Sequence, residues 1–146
     1  MAKRGVSILI KILLVIILST TLFGSNLEVE KKIYTSIIHA VFPNKHIRLW
    51  TDSKEKKSFL GSIDGVTLVQ ESDDADFLIL QHTSQIKSHG IKFATNYKVL
   101  RYYQNDIIGG FYWQKGRPNI LFLKPYLKQH HINLPSSLDT YVESSI

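Results

Sequence analysis

Apolar residues occur in two kinds of run along this chain. The first is nearly continuous: Ile8-Leu9-Ile10 and Ile12 to Leu18, broken only by Lys11. Lys3 and Arg4 precede it, and small residues follow it at Ser19-Thr20-Thr21 and Gly24-Ser25. A basic start, a short apolar core and a small-residue exit are the parts of a secretory signal. The stretch from Gly5 to Phe23 also approaches the length of a bilayer span, with Lys11 near enough to the basic end to snorkel. Bulky Leu22 and Phe23 at the exit leave both readings open, a cleaved signal peptide or a retained N-terminal membrane anchor for residues 1–25. Either one sends residues 26–146 out of the cytoplasm as a single periplasmic domain.

The second kind of run is periodic. Leu27, Ile33, Tyr34, Ile37, Ile38 and Val41 recur at spacings of three and four, which predicts a helix from about Leu27 to Val41, capped by Asn26 and ended by Pro43-Asn44. His46 to Trp50 alternates as a strand does. Asp52 and Ser53 can cap a short charged helix, Lys54 to Leu60, with Gly61 just beyond it. Val66 to Val69 is a second strand, and Glu71 to Asp74 a solvated turn. Asp76-Phe77-Leu78-Ile79-Leu80 suits a strand buried on both faces. A short helix or loop follows at Gln85 to His89, then a strand at either Ile91–Thr95 or Val99–Tyr102. Ile107–Trp113 and Asn119–Leu123, joined by Gln114-Lys115-Gly116-Arg117, make an antiparallel hairpin. Pro125 opens a helix over Tyr126–His130, and Pro135 a terminal helix over Ser136–Glu143.

These elements predict an α/β, Rossmann-like domain. A small sheet of about five to six strands carries flanking helices and ends in a β-hairpin and a C-terminal helix. Length agrees with one domain: taking residues 1–25 from the 146 leaves 121. Charge changes little. Three of the 18 basic residues lie in the leading segment, so the domain carries only +3 of the chain's formal +6. That argues against nucleic acid as a partner, which calls for a clustered basic face. The chain has no cysteine, which removes disulfides, thiolate metal sites and cysteine nucleophiles together.

Few residues point to chemistry. No phosphate-binding glycine fingerprint, H-E-x-x-H or G-x-S-x-G elbow occurs, so no cofactor, metal or catalytic residue is assigned and a non-enzymatic protein is expected. The candidate binding residues lie on the hairpin. Gly109-Gly110 offers bare backbone to a ligand or a packing contact. Phe111 and Trp113 share one strand face, where they pack into the core or, alternatively, offer an aromatic platform to a ligand ring or a partner helix. Lys115 and Arg117 flank Gly116 and either form a solvated hairpin tip or hold an anion, the guanidinium in bidentate fashion.

The same region carries a resemblance. Gly109-Gly110-Phe111, Lys115-Gly116-Arg117, Ile120-Leu121-Phe122-Leu123, Leu127 and Ile132-Asn133-Leu134-Pro135-Ser136-Ser137-Leu138 follow one another in an order similar to the C-terminal part of the YfiR-like periplasmic proteins. The leading segment, first helix and Asp76-Phe77-Leu78-Ile79 strand fit that family's layout too. The chain differs in lacking cysteines and in having Lys124 near where the family carries an asparagine. The resemblance implies a small exported regulator that restrains a membrane-bound diguanylate cyclase, with no catalytic residues. A membrane signalling protein is then the expected partner, and a homodimer is compatible with it. Membrane contact would come only through an uncleaved residue 1–25 segment. The alternative expectation is a periplasmic domain that binds a solute or anion and delivers it to a membrane partner, and behind that a small envelope enzyme.

Overall fold

The computed structural model describes residues 26–146; the leading segment read as signal or anchor lies outside the described residues. The described chain opens in helix α1, residues 26–41. Then come β1 (Ile47–Thr51), α2 (Lys54–Leu60), β2 (Val66–Leu68), β3 (Phe77–Leu80), β4 (Ile91–Ala94), α3 (Tyr97–Tyr102), β5 (Gly109–Gln114), β6 (Arg117–Leu123), α4 (Lys124–Gln129) and β7 (Val142–Glu143). Among the described residues no helix is long and apolar enough to cross a membrane.

All seven strands join one sheet in the order β2-β1-β3-β4-β5-β6-β7. The first five run parallel, β6 returns antiparallel to β5, and β7 lies parallel to β6. This is an α/β, Rossmann-like architecture with one or two strands more than the sequence pattern predicts. The order of the first five strands reverses direction between β1 and β3, as in doubly wound, flavodoxin-like sheets.

The two sheet faces explain which residues are apolar. On one face Tyr34, Ile37 and Ile38 of α1 and Phe59 and Leu60 of α2 pack on Leu49, Phe77, Ile79, Phe93, Phe111 and Phe122. On the other, Val99 and Leu100 of α3 pack on Leu78, Leu80 and Ala94. β3 is therefore buried at all four positions, which is why its sequence does not alternate.

Local signals account for the element ends. The Ser53 side chain accepts from the Lys56 amide at 3.3 Å and caps α2. Asn96 does the same for α3 through Val99, at 2.9 Å. Of the two candidates for the fourth strand, Ile91–Ala94 is the strand, and the second lies in the capped helix Tyr97–Tyr102. Lys115 and Gly116 both have positive φ, 51° and 73°, as a two-residue type I′ hairpin requires. Pro118 sits in the part of β6 that β7 does not reach, where a missing N–H leaves no ladder bond unmade.

The C-terminus departs from expectation. Ser136–Tyr141 is a 3-10 turn, and Val142–Glu143 pairs with Phe122–Leu123 as β7. A helix continued to Glu143 would forgo that pairing. The stretch Gln85–His89 is loop.

Candidate functional site

The carboxyl ends of the parallel strands converge on a cleft of about 930 Å³. The ends of β3 and β4 contribute Gln81 and Thr95-Asn96-Tyr97, and β5 contributes Tyr112, Trp113 and Gln114. The opposite wall is the first turn of the described part of α1 (Asn26, Leu27, Glu30) and the start of α2 (Glu55, Lys56). Crevices outside strand carboxyl ends, beside a reversal in strand order, are where open α/β sheets bind ligands.

The site exists because the strands end at different heights. β4 stops at Ala94, which pairs with Gly110, so Phe111 to Gln114 project beyond it and form a wall. Two polar side chains hold the ends of the shorter strands in place. The Asp52 carboxylate, just after β1, accepts from the backbone amides of Gln81 and His82 at 2.7 and 2.9 Å. Asn96 donates from Nδ2 to the Gln81 carbonyl at 2.9 Å while capping α3.

Glu30 and Lys56 form a buried ion pair in the wall between α1 and α2, Nζ to Oε1 at 3.2 Å. The same Oε1 accepts from the Trp113 indole N–H at 3.2 Å, so one carboxylate ties α1, α2 and β5 together. The Lys56 ammonium lies 5.6 Å from the centre of the Tyr34 ring. Tyr34 itself is fully buried, and among the described residues its hydroxyl has no hydrogen-bond partner. Burial pushes the Tyr34 phenol well above its ordinary pKa, and the negative charge of Glu30 adds to the shift.

The hairpin residues singled out by sequence divide into three groups. Gly109 and Gly110 are packing positions: a Cβ on Gly109 would collide with the Leu121 carbonyl oxygen, and one on Gly110 would come within 3.1 Å of Ala94. Of the two readings for Phe111, core and platform, the structure has the core: it is buried against Tyr34 with ring centres 5.3 Å apart, because α1 covers that face of β5. Trp113 remains 38% exposed and lines the cleft. Lys115 and Arg117 are exposed at the hairpin tip, where with Gln114 and Asn119 they line a separate shallow groove. Among the described residues neither cation has an ion-pair partner.

Compared with known protein families and with curated proteins, the chain matches no family model and no curated sequence.

The cleft gathers residues from five separate stretches of chain, and only Trp113 among them is a binding candidate from the sequence. Glu30 and Lys56 lie 26 positions apart and Glu30 and Trp113 lie 83 apart, so no local spacing marks them. The one usable sequence signal is a glutamate at Glu30 beside Tyr34 on the otherwise apolar stripe of α1. Among the described residues no group of three histidine, aspartate or glutamate side chains is placed to hold a metal ion.

Proposed function

We propose that this domain is a non-enzymatic regulatory module of the cell envelope, in which the cleft binds a small ligand and the hairpin tip meets a membrane partner. The observation that carries the reading is the cleft itself. It is a preorganised crevice at the strand carboxyl ends, walled by aromatic and amide side chains. Its charged pair, Glu30 and Lys56, is closed on itself and holds three elements together. A pair committed to structure in this way is poorly placed to exchange protons with a substrate, which favours binding over catalysis. Asn26 and Leu27 stand at the cleft, so the segment read as signal or anchor joins the domain beside it. With an anchor retained, ligand occupancy would be sensed near the membrane surface. The sequence resemblance to YfiR-like regulators supplies the class of partner, a membrane-bound diguanylate cyclase or a similar signalling protein.

The test is capture from envelope membranes by the wild-type protein and by a Lys115→Ala/Arg117→Ala variant. The melt should not change, since exposed turn charges contribute little stability. Capture of a membrane signalling protein by the wild type, weakened in the variant, supports the reading. Equal capture by both moves the contact away from the tip. Failure to capture any membrane signalling protein removes the regulatory reading and leaves the solute-binding alternative, which the same cleft favours.

A further inference from the structure

The cleft runs against the electrostatic character of the chain. The sequence has a formal net charge of +6, yet the charged side chains lining the cleft are Glu30, Glu55 and Lys56. Lys56 is neutralised by Glu30 within the wall. That leaves Glu55, exposed in the first turn of α2. Among the described residues its carboxylate has neither an ion-pair nor a hydrogen-bond partner. The remaining lining is three aromatic residues, Leu27, a set of neutral amides and the Thr95 hydroxyl. Tyr97 is 46% exposed and Trp113 38%, and the Tyr97 and Tyr112 rings lie 6.0 Å apart. The faces of aromatic rings attract cations, and tryptophan does so most strongly. The cations Lys115 and Arg117 lie outside this space, on the far side of Gln114, which borders both the cleft and the tip groove.

We propose that the cleft takes an organic cation, an ammonium-bearing small molecule whose charge is met by Glu55 and by the faces of Tyr97, Tyr112 and Trp113. The inference rests on the reading of the cleft as the ligand site and names the ligand's chemistry. An anion entering the same space would meet an unpaired carboxylate and find no uncommitted cation in the lining. A neutral ligand could hydrogen-bond Glu55 but would not neutralise its charge. An ammonium satisfies the carboxylate and the ring faces together, and the amides of Asn26, Asn96 and Gln114 remain to orient it.

Trp113 reports directly on occupancy. The only other tryptophan, Trp50, donates its indole N–H to the Gln70 carbonyl and does not line the cleft, so a Trp50→Phe background isolates the signal. The full chain, purified as the cell exports it, is titrated with choline and with spermidine while Trp113 emission is followed. Glucose and inorganic phosphate serve as the neutral and anionic probes. The expected result is saturable change with at least one cation, weakened about tenfold by Glu55→Gln and by added salt, and unchanged by Lys115→Ala/Arg117→Ala. Cation binding that Glu55→Gln leaves intact overturns the proposal. Response to glucose or phosphate alone overturns it too, while leaving the cleft as a ligand site. Silence with all four probes overturns it as well, while capture by the Lys115→Ala/Arg117→Ala variant separately tests the partner contact at the tip.

Discussion

Replacing Glu30 with leucine is the sharpest test of how this domain holds its cleft together. Glu30 is 8% exposed and Lys56 7%, and their 3.2 Å contact is supplemented by the Trp113 indole on the same oxygen. Glu30→Leu leaves the Lys56 ammonium without its counter-charge and the Trp113 N–H without its acceptor. Breaking a fully enclosed pair from one side costs about 3–5 kcal/mol. Here both residues border an open cleft, so the stranded lysine can reach water through a modest rotamer change, and about 2–3 kcal/mol is the expected loss. The double variant Glu30→Leu/Lys56→Met removes both charges and should recover most of that loss, because two desolvated groups disappear together. Urea denaturation of the wild type, both single variants and the double variant closes the cycle. A coupling energy below about 0.5 kcal/mol, with Glu30→Leu as stable as wild type, would show the pair to be solvent-screened and would refute the account of the wall given above. Trp113 emission should shift in Glu30→Leu and in the double variant but hardly in Lys56→Met, since of the pair it is Glu30 that accepts the indole hydrogen bond.

Three further outcomes follow from the core and the surface. Tyr34→Phe should be neutral or stabilising in a thermal melt, because it deletes a buried hydroxyl that has no partner among the described residues; a loss above about 1 kcal/mol would mean that the hydroxyl is satisfied after all. Leu78→Ala, at a fully buried position of β3, should cost about 2–5 kcal/mol, and an unmoved melting curve would contradict the double-sided burial of that strand. The Arg48 guanidinium and amide hydrogen-bond the Asp76 carboxylate and hold its pKa below the ordinary carboxylate range. A lowered carboxylate pKa contributes stability above the unfolded pKa that is lost as the pH falls through the folded one. Arg48→Ala should therefore be slightly less stable than wild type near neutral pH, and the difference should vanish in acid below the pKa of folded Asp76. A difference that grows on acidification would reverse the sign of the argument.

Much of the architecture is written locally. The stripe from Leu27 to Val41 can bury one face only as a helix, and Ser53 followed by Lys54–Leu60 supplies a cap and a short helix together. Phe77–Leu80 reads as doubly covered because no polar residue interrupts it. Lys115-Gly116 between two apolar runs suffices for a hairpin, since the tight turn needs positive φ at two consecutive positions. Tertiary structure decided the rest. The run Val99–Tyr102 suits a strand as well as a helix, and became α3 once Ile91–Ala94 had paired between β3 and β5. Val142–Glu143 has a helical pattern but is a strand, because the edge of β6 offers it backbone partners. Phe111 and Trp113 alternate identically in sequence, yet α1 covers the first and only borders the second. The cleft is the extreme case: strand ends of unequal length, the described part of α1 and the start of α2 bring Glu30, Glu55, Asn96 and Trp113 together. Periodicity tells which way a side chain points from its own element, but which element stands opposite is set by strand order, and that order is a property of the whole sheet.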